Sequence, residues 1–391
     1  MDATVVYVLL SPTFGMHQYT ADLARQAAAL GCAAHVVTTA LLPRERYGAE
    51  VALHTPVAHG TTGFGREGAA AGGLGRVWRQ ITALRPDVVH VTGAHLWNPL
   101  LLAMVRGAGI PTVHTLHDLD PHPDVRRGAL IRLWNALVTA ASDRLLVHAE
   151  RYRRRLEGAG AAAGRLFAWP LLHGCLDAAG ERRLEAAPPP RRWEPWLLFL
   201  GRLEAYKGVA VLLDAVARRR GAPAPTLVLA GRGELPAGAP RPAGAIHLAG
   251  HAGDGLAWDL LSRCRALVLP YTGATQSALP AAAYAFGKPV VVSDSGALAE
   301  SVVAGVTGWV TPAGDVDALA RTLAMVQAAD PLALAAMGDA GRAWRAEKRA
   351  CERVEIARLY ARGESRGEGR GARGDAGWLS CAPVDVVGGG G

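Results

Sequence analysis

The sequence predicts an α/β protein of two domains, each a parallel sheet wrapped by helices. Three observations carry that expectation. Short apolar runs of strand length recur along the chain, each followed by a loop and then by apolar residues at helical spacing, the alternation that parallel sheets require. At 391 residues the chain exceeds what one hydrophobic core usually serves, and half of its residues are hydrophobic, enough for two cores. A Pro188-Pro189-Pro190 tract within the charged segment 181–195 suits a semi-rigid linker between the halves. The expected organisation is a first domain at 1–180, a linker at 181–195, a second domain at 196–340, a final helix at 341–362 and a disordered tail at 363–391, where Gly, Arg, Ser and Glu dominate.

In the first half, Thr4 to Leu10 reads as a strand, Ser11 to Tyr19 as a turn containing Gly15, and the segment through Leu30 as a helix. A strand, a glycine-bearing turn and a helix open a Rossmann-like domain. Gly15 would let a ligand approach the backbone, although a lone glycine there also serves as a plain turn residue. Further strands are Ala34 to Thr38, Val88 to Val91 and Thr112 to Leu116. Residues 60–75, dense in glycine and without apolar periodicity, read as a loop near a cleft or as a plain exposed one. His95, His114 and His117 cluster around strand ends. On a strand, side chains three apart leave on opposite faces, so His114 and His117 reach one ligand only if the strand ends between them; His117, followed by Asp118, is the preferred cleft residue.

The second half holds the most informative stretch, Phe199 to Gly208. Trp196 to Leu200 is a strand, and Val209, Leu212, Leu213 and Val216 recur at helical spacing, so Arg202 and Lys207 flank a strand-to-helix loop. Backbone N–H groups at a helix start favour an anion, while Arg offers a planar fork and Lys a mobile point charge, a combination suited to a diphosphate; a solvated basic loop is the plainer reading of this one motif. Thr226 to Ala230 is a second strand ending in Gly231-Arg232-Gly233-Glu234, Ala266 to Leu269 a third ending in Pro270-Tyr271, and Pro289 to Ser293 a fourth. Ligands of such sheets bind at the carboxyl ends of the strands, so Arg202, Lys207, Gly231, Tyr271 and the turn Ser293 to Gly296 should face one crevice.

In order, Gly201-Arg202-Leu203 with Lys207-Gly208, Leu229-Ala230-Gly231-Arg232-Gly233-Glu234, Phe286-Gly287-Lys288-Pro289, Gly296 to Glu300 and Gly305 to Val310 resemble the retaining nucleotide-sugar glycosyltransferases of family four, over roughly residues 4–360. The resemblance implies a GT-B architecture: two Rossmann-like domains facing each other across a cleft, with the nucleotide-sugar donor held mainly by the second and the last helix crossing back onto the first. It implies Arg202 and Lys207 as the cations that stabilise the leaving diphosphate, and His117, in Thr115-Leu116-His117, as a contact of the donor sugar, although Thr112-Val113-His114 fits the same pattern. Gly15, Gly201, Gly231, Arg232, Gln276, Ser277 and Glu300 follow as donor-binding positions. A nucleotide diphosphate sugar is the implied co-substrate, with no cofactor and no metal required, because two cations neutralise the diphosphate. The acceptor is a hydroxyl in polysaccharide, glycolipid or secondary-metabolite synthesis.

Two departures stand out. The family usually has two adjacent glycines after the first strand, and this chain has Phe14 before Gly15. The family commonly carries two glutamates separated by seven residues, facing the donor sugar and the ribose; counting back from Gly287-Lys288-Pro289 places Ala274 and Ala282 there. Either Thr275, Gln276 and Ser277 supply polar contacts in an active variant, or the chain is a catalytically degenerate binding partner of another enzyme. Retention of Arg202, Lys207 and Glu300 favours activity. A 2-epimerase on the same fold would need the missing acidic groups.

The composition excludes other classes. The five cysteines, an odd number without ligand spacing, argue for a reducing compartment and against zinc. No apolar run has transmembrane length and Met1-Asp2-Ala3 lacks a signal-peptide pattern, so a cytoplasmic protein is expected. The net charge of +8 suits any acidic partner; no nucleic-acid module accompanies it. Arg151 to Arg155 reads as a solvated helix face, whereas Arg126, Arg127 and Arg132 with Leu130, Ile131 and Trp134 suggest a peripheral contact with a membrane at its inner face. Paired hydrolase carboxylates of assignable spacing and a nucleophile-elbow serine are both missing from the sequence.

Overall fold

Parallel pairing and helical crossovers organise the whole chain. The computed structural model describes residues 2–11, 13–58, 71–119, 128–190, 192–218, 226–273 and 276–361. Among them, strands β1 (Thr4–Leu9), β2 (Ala33–Thr39), β3 (Val51–Val57), β4 (Val88–Val91), β5 (Thr112–Thr115), β6 (Arg144–Val147) and β7 (Leu166–Ala168) form one sheet in the order β3-β2-β1-β4-β5-β6-β7. Helices α1 (Phe14–Ala29), α2 (Ala71–Ala83), α3 (Asn98–Gly107), α4 (Gly128–Ala141) and α5 (Glu150–Gly158) alternate with those strands, and α6 (Ala178–Ala186) follows them. The second sheet takes β8 (Trp196–Leu200), β9 (Thr226–Gly231), β10 (Ala245–Ala249), β11 (Ala266–Leu269), β12 (Val290–Ser293) and β13 (Gly308–Thr311) in the order β10-β9-β8-β11-β12-β13. Its helices are α7 (Val209–Ala217), α8 (Asp254–Arg263), α9 (Leu279–Ala285) and α10 (Val316–Ala328), and α11 (Pro331–Leu359) closes the described chain.

Every strand pairing is parallel. Parallel strands are covered on both faces, so central ones read as continuous apolar runs; β8 (Trp-Leu-Leu-Phe-Leu) and β11 (Ala-Leu-Val-Leu) are buried almost throughout. In each sheet the strand order reverses beside the first strand, between β1 and β4 and between β8 and β11. Ligands of open parallel sheets bind outside the strand carboxyl ends at such reversals.

The strands anticipated from the sequence all form, within a residue or two at their ends. Five others, β3, β6, β7, β10 and β13, complete the edges. Two boundaries differ from expectation. Helix α6 occupies 178–186 and so takes up the first part of the segment read as linker, and α11 begins at Pro331, ten residues before the expected start at 341. Both helix starts carry signals that outweigh the composition: Asp177 caps α6 by accepting from the Gly180 N–H at 2.6 Å, and Asp330 caps α11, with Pro331 at its first position. Residues 60–70 of the glycine-rich loop and the tail from 362 lie outside the described residues.

Helix α11 joins the halves. Trp344 packs edge-on against Tyr284 of α9, with ring centroids 5.5 Å apart, while Ile356, Leu359 and Tyr360 enter the core of the first domain. The Tyr360 hydroxyl lies 2.7 Å from His90 Nδ1 of β4. Between these anchors, buried Arg349 grips Asp22 of α1 with both ends of its fork, at 2.8 and 3.1 Å, and reaches Glu352 at 2.5 Å. Burial alone would raise the Asp22 pKa, but Arg349 and Arg25 outweigh it and hold the carboxyl well below its usual range. Removing one partner of a buried ion cluster leaves charge uncompensated. Arg349→Leu should therefore lose about 3–5 kcal/mol of unfolding free energy, read by urea denaturation; a loss under about 1 kcal/mol, as for a surface pair, would contradict this bridging role.

Candidate functional site

The loop after β8 is shaped by contacts that only glycine permits at two positions. Gly208 has φ 69°, and a Cβ there would lie 1.8 Å from the Pro270 carbonyl oxygen; at Gly231, with φ 154°, it would lie 1.8 Å from the Gly201 oxygen. Loops 201–208, 231–233 and 270–272 therefore pack backbone against backbone. They are tied by the Leu203 N–H to the Arg232 carbonyl at 2.7 Å and the Thr272 N–H to the Tyr206 carbonyl at 2.8 Å. This gathers Gly201, Arg202, Lys207, Gly231, Arg232 and Tyr271 at the strand reversal.

Within that group, Lys207 Nζ donates to the Tyr271 hydroxyl at 3.0 Å and sits 4.2 Å from its ring centroid and 5.4 Å from that of Tyr206. Burial works to lower the Lys207 pKa, but Tyr271 and Tyr206 outweigh it and the net shift is upward, although nearby Arg202 opposes it. Lys207 is thus a fixed cation across neutral pH, held by two aromatic rings. Arg202 is exposed and pairs with Glu204 at 2.5 Å. Exposed pairs contribute little, so an incoming diphosphate can replace Glu204 at small cost. The Arg232 side chain is exposed beside it.

The remaining positions divide. Gly15 is exposed in the first turn of α1, and a Cβ there would meet nothing within 4 Å, leaving open space at the reversal of the first sheet. Ser277 Oγ accepts from the Leu279 N–H at 3.3 Å at the start of α9, with Gln276 partly buried beside it. Ala282, at the second glutamate position, is fully buried; Ala274 and Thr275 lie outside the described residues. Glu300 departs from the donor-binding expectation: its carboxylate accepts from the Glu150 N–H at 2.9 Å and the Arg151 N–H at 3.3 Å, capping α5 of the opposite domain. Carboxylates are favoured at helix N-termini. Arg151 itself hydrogen-bonds the Gly296 carbonyl, so this part of the basic run is an inter-domain contact as well as a solvated face.

Of the histidines, His114 is fully buried, with Nδ1 3.1 Å from the Val91 carbonyl and its ring edge-on to Trp134. His117, beyond the end of β5 and partly exposed, is the one that can reach the cleft. Its Nε2 lies 2.8 Å from the Thr92 carbonyl and its Nδ1 3.1 Å from His148 Nε2. A carbonyl only accepts, so His117 carries its proton on Nε2 and donates it to Thr92. Burial lowers its pKa and keeps it neutral. Both ring nitrogens are engaged, and a sugar contact requires exchange of one of these bonds. His148, which follows β6, was not legible because that strand was not distinguished in the sequence.

Sequence reasoning also missed a clamp across the cleft. Phe14 stacks edge-on with His251 at 5.1 Å, the Arg46 guanidinium lies 4.4 Å over the Phe14 ring, and Arg46 pairs with Asp254 at the start of α8 at 2.7 Å. The carboxyl edges of the two sheets are thereby joined at one end by Phe14 and Arg46 and at the other by Glu300 and Arg151. Phe14, the departure from the glycine pair, was the available signal.

Comparison with known proteins bears on the fold. Residues 15–171 match the family model for Glycosyltransferase Family 4, and residues 194–328 the model for Glycosyl transferases group 1. A glycogen synthase of Mycobacterium tuberculosis is 32% identical over 272 residues, covering 65% of this chain and 62% of that protein. A sucrose-phosphate synthase from Thermosynechococcus elongatus superposes with TM-score 0.67 at 18% identity, covering 92% of this chain and 98% of that one. Anabaena HepE in complex with UDP-glucose does so with TM-score 0.65 at 17% identity, covering 91% and 98%. The fold is GT-B, two parallel-sheet domains across a cleft, and the two matched segments are its two sheet-bearing halves.

The buried histidines set a pH dependence. Burial pushes His17, His95 and His173 down to about 4 and His114 to about 3. Unfolded, they would take up protons near 6.5, so the unfolded state binds more protons below that pH and stability falls toward pH 4. Burial pushes Glu181 and Glu352 up to about 7, which adds stability as pH falls from 7 toward 4.5. Four histidines outweigh two acids, so the thermal unfolding midpoint should drop between pH 6.5 and 4; a flat or rising profile would contradict neutral buried histidines.

Proposed function

We propose that this chain, which carries a family 4 glycosyltransferase domain followed by a group 1 domain, transfers a sugar from a nucleotide diphosphate sugar to an acceptor hydroxyl with retention of anomeric configuration. The observation that carries this reading is the pair Arg202 and Lys207 at the reversal of the second sheet, on a loop whose backbone contacts tolerate only glycine at 208 and 231. The diphosphate takes the place of Glu204 on Arg202, and Lys207, fixed by Tyr271, supplies the second charge.

The chemistry needs little from other side chains. The bond from the anomeric carbon to the leaving phosphate breaks as negative charge grows on the diphosphate, and the two cations stabilise that charge in a site already arranged for it. The acceptor hydroxyl attacks from the same face and passes its proton to the leaving phosphate oxygen. His117, neutral and held by Thr92 and His148, borders the sugar. Gly15, Gly201, Gly231, Arg232, Gln276 and Ser277 line the donor's path, while Glu300 must exchange its cap on α5 to reach the donor.

Arg202→Ala and Lys207→Ala should each lower donor hydrolysis by about 10²–10³-fold, the usual effect of removing one preorganised charge-stabilising donor, with the fold retained by circular dichroism. Donor binding without nucleotide release by the wild type, even with acceptors present, would point instead to a degenerate binding partner. Unchanged hydrolysis in both variants would remove the site assignment.

We place the protein at a membrane surface when it works. Leu130, Leu133 and Leu137 on α4 and Leu100 on α3 are exposed, and Arg132 lies beside them; no helix among the described residues is long and apolar enough to cross a membrane. Trp134 is not the interfacial anchor expected, because it is buried and donates its indole N–H to the His95 carbonyl at 3.0 Å. Arg126 and Arg127 lie outside the described residues. Burying a leucine yields roughly 1.5–3 kcal/mol, so Leu133→Glu should weaken co-sedimentation with anionic vesicles about tenfold or more; equal binding would refute the contact.

A further inference from the structure

We infer that the groove between α11 and the segment joining the domains binds a phosphate-bearing small molecule, at a site separate from the inter-domain cleft. The groove measures about 360 Å³, within the size range of small-ligand pockets. Leu184, Pro188 and Ala285 give it an apolar side, and the other side is one face of α11 bearing Arg342, Arg345, Arg349 and Arg353. These are three or four residues apart, the spacing that places side chains side by side, and like charges so placed destabilise a helix.

Structural pairing accounts for only part of this wall. Arg349 is committed to Asp22 and Glu352. Arg342 pairs with Asp339 at 3.7 Å. Arg345 donates Nε to the Leu172 carbonyl at 2.9 Å, and its Nη2 is buried without a hydrogen-bond partner; Arg353 meets the neutral amide oxygen of Gln26 at 3.3 Å. Among the described residues neither Arg345 nor Arg353 has a carboxylate within 4.0 Å. Glu185, the acid among the lining residues, is held by Arg25 at 3.1 Å. Burial and the charge of Arg349 lower the Arg345 pKa and outweigh the carboxylates of Glu181, Asp22 and Glu185, which raise it. An oxyanion in the groove supplies a counter-charge to Arg345 and Arg353, which stand about 12 Å apart along α11. Charge-assisted bonds of this kind are strong, and guanidinium geometry matches phosphate.

The groove is distinct from the donor site. Helix α9 starts at the carboxyl edge of the second sheet, after β11, and runs back, so Ala285 at its end lies at the opposite edge from Arg202 and Lys207. Because α6, α9 and α11 all border it, occupancy would brace the joint between the domains.

The test is isothermal titration of the full chain with inorganic phosphate and with glucose 1-phosphate, glucose serving as the uncharged control. Because the cleft cations also attract phosphate, the comparison is made in Arg202→Ala/Lys207→Ala: both anions should still bind that protein, and adding the double variant Arg345→Gln/Arg353→Gln should weaken that binding at least tenfold. Tighter binding of the ester than of free phosphate extends the site to a sugar phosphate; equal binding assigns it to the phosphate group alone. No binding of either anion at millimolar concentration, equal binding of glucose, or loss of binding in the cleft variant instead of the groove variant overturns the inference. If circular dichroism shows the double variant misfolded, Arg353→Gln alone carries the same comparison.

Discussion

The arrangement of this protein depends on one buried guanidinium. Arg349, on a helix that leaves the second domain, is held through both Nη atoms by Asp22 on the first helix of the first domain and by Glu352 on its own. The two sheets by themselves do not dictate how the halves face each other, since each satisfies its own backbone and buries its own apolar faces. The ion cluster supplies direction where hydrophobic packing supplies only adhesion, because a bidentate fork tolerates little rotation. Trp344 of α11, packed on Tyr284 of α9, and Tyr360 in the first core fix the two ends of the strap between which Arg349 lies.

That fixed facing gives meaning to the strand order. The reversals beside β1 and β8 leave gaps at the carboxyl edges of the two sheets, and α11 turns those edges toward one another. Gly15 and His117 then lie on one wall, Arg202, Lys207 and Tyr271 on the other. The cations need no support from the first domain: Lys207 is held by aromatic rings of its own domain, and Arg202 rests on Glu204 until an anion replaces it.

The second sheet and its anion loop were legible because central parallel strands are continuous apolar runs, and because glycines at 208 and 231 mark backbone contacts at 1.8 Å that any side chain would break. Edge strands were not. β3 and β10 are only partly buried, and β7 has three residues, so their apolar signal is diluted. The site was half legible for a related reason. Arg202 and Lys207 lie in one short segment, whereas His148 and Glu300 act on partners 31 and 150 residues away, respectively, separations that no local pattern encodes. Arg349 is the extreme case, 327 residues from Asp22.

The departures from the family pattern are connected physically. A phenylalanine in place of glycine at position 14 fills space at the mouth of the cleft, and it is tolerated because Arg46 covers one side of its ring and His251 meets its edge. Arg46 in turn needs Asp254, whose other oxygen accepts from the Asp177 N–H at 3.1 Å, so the clamp runs from the first domain through the second to the start of the linker helix. At the other end, Glu300 spends its carboxylate on the α5 N-terminus. Both contacts close the cleft without a ligand's help. Any opening of the cleft has to break the contacts at Phe14 and at Glu300, while Arg349 keeps the strap attached at the joint beside α11.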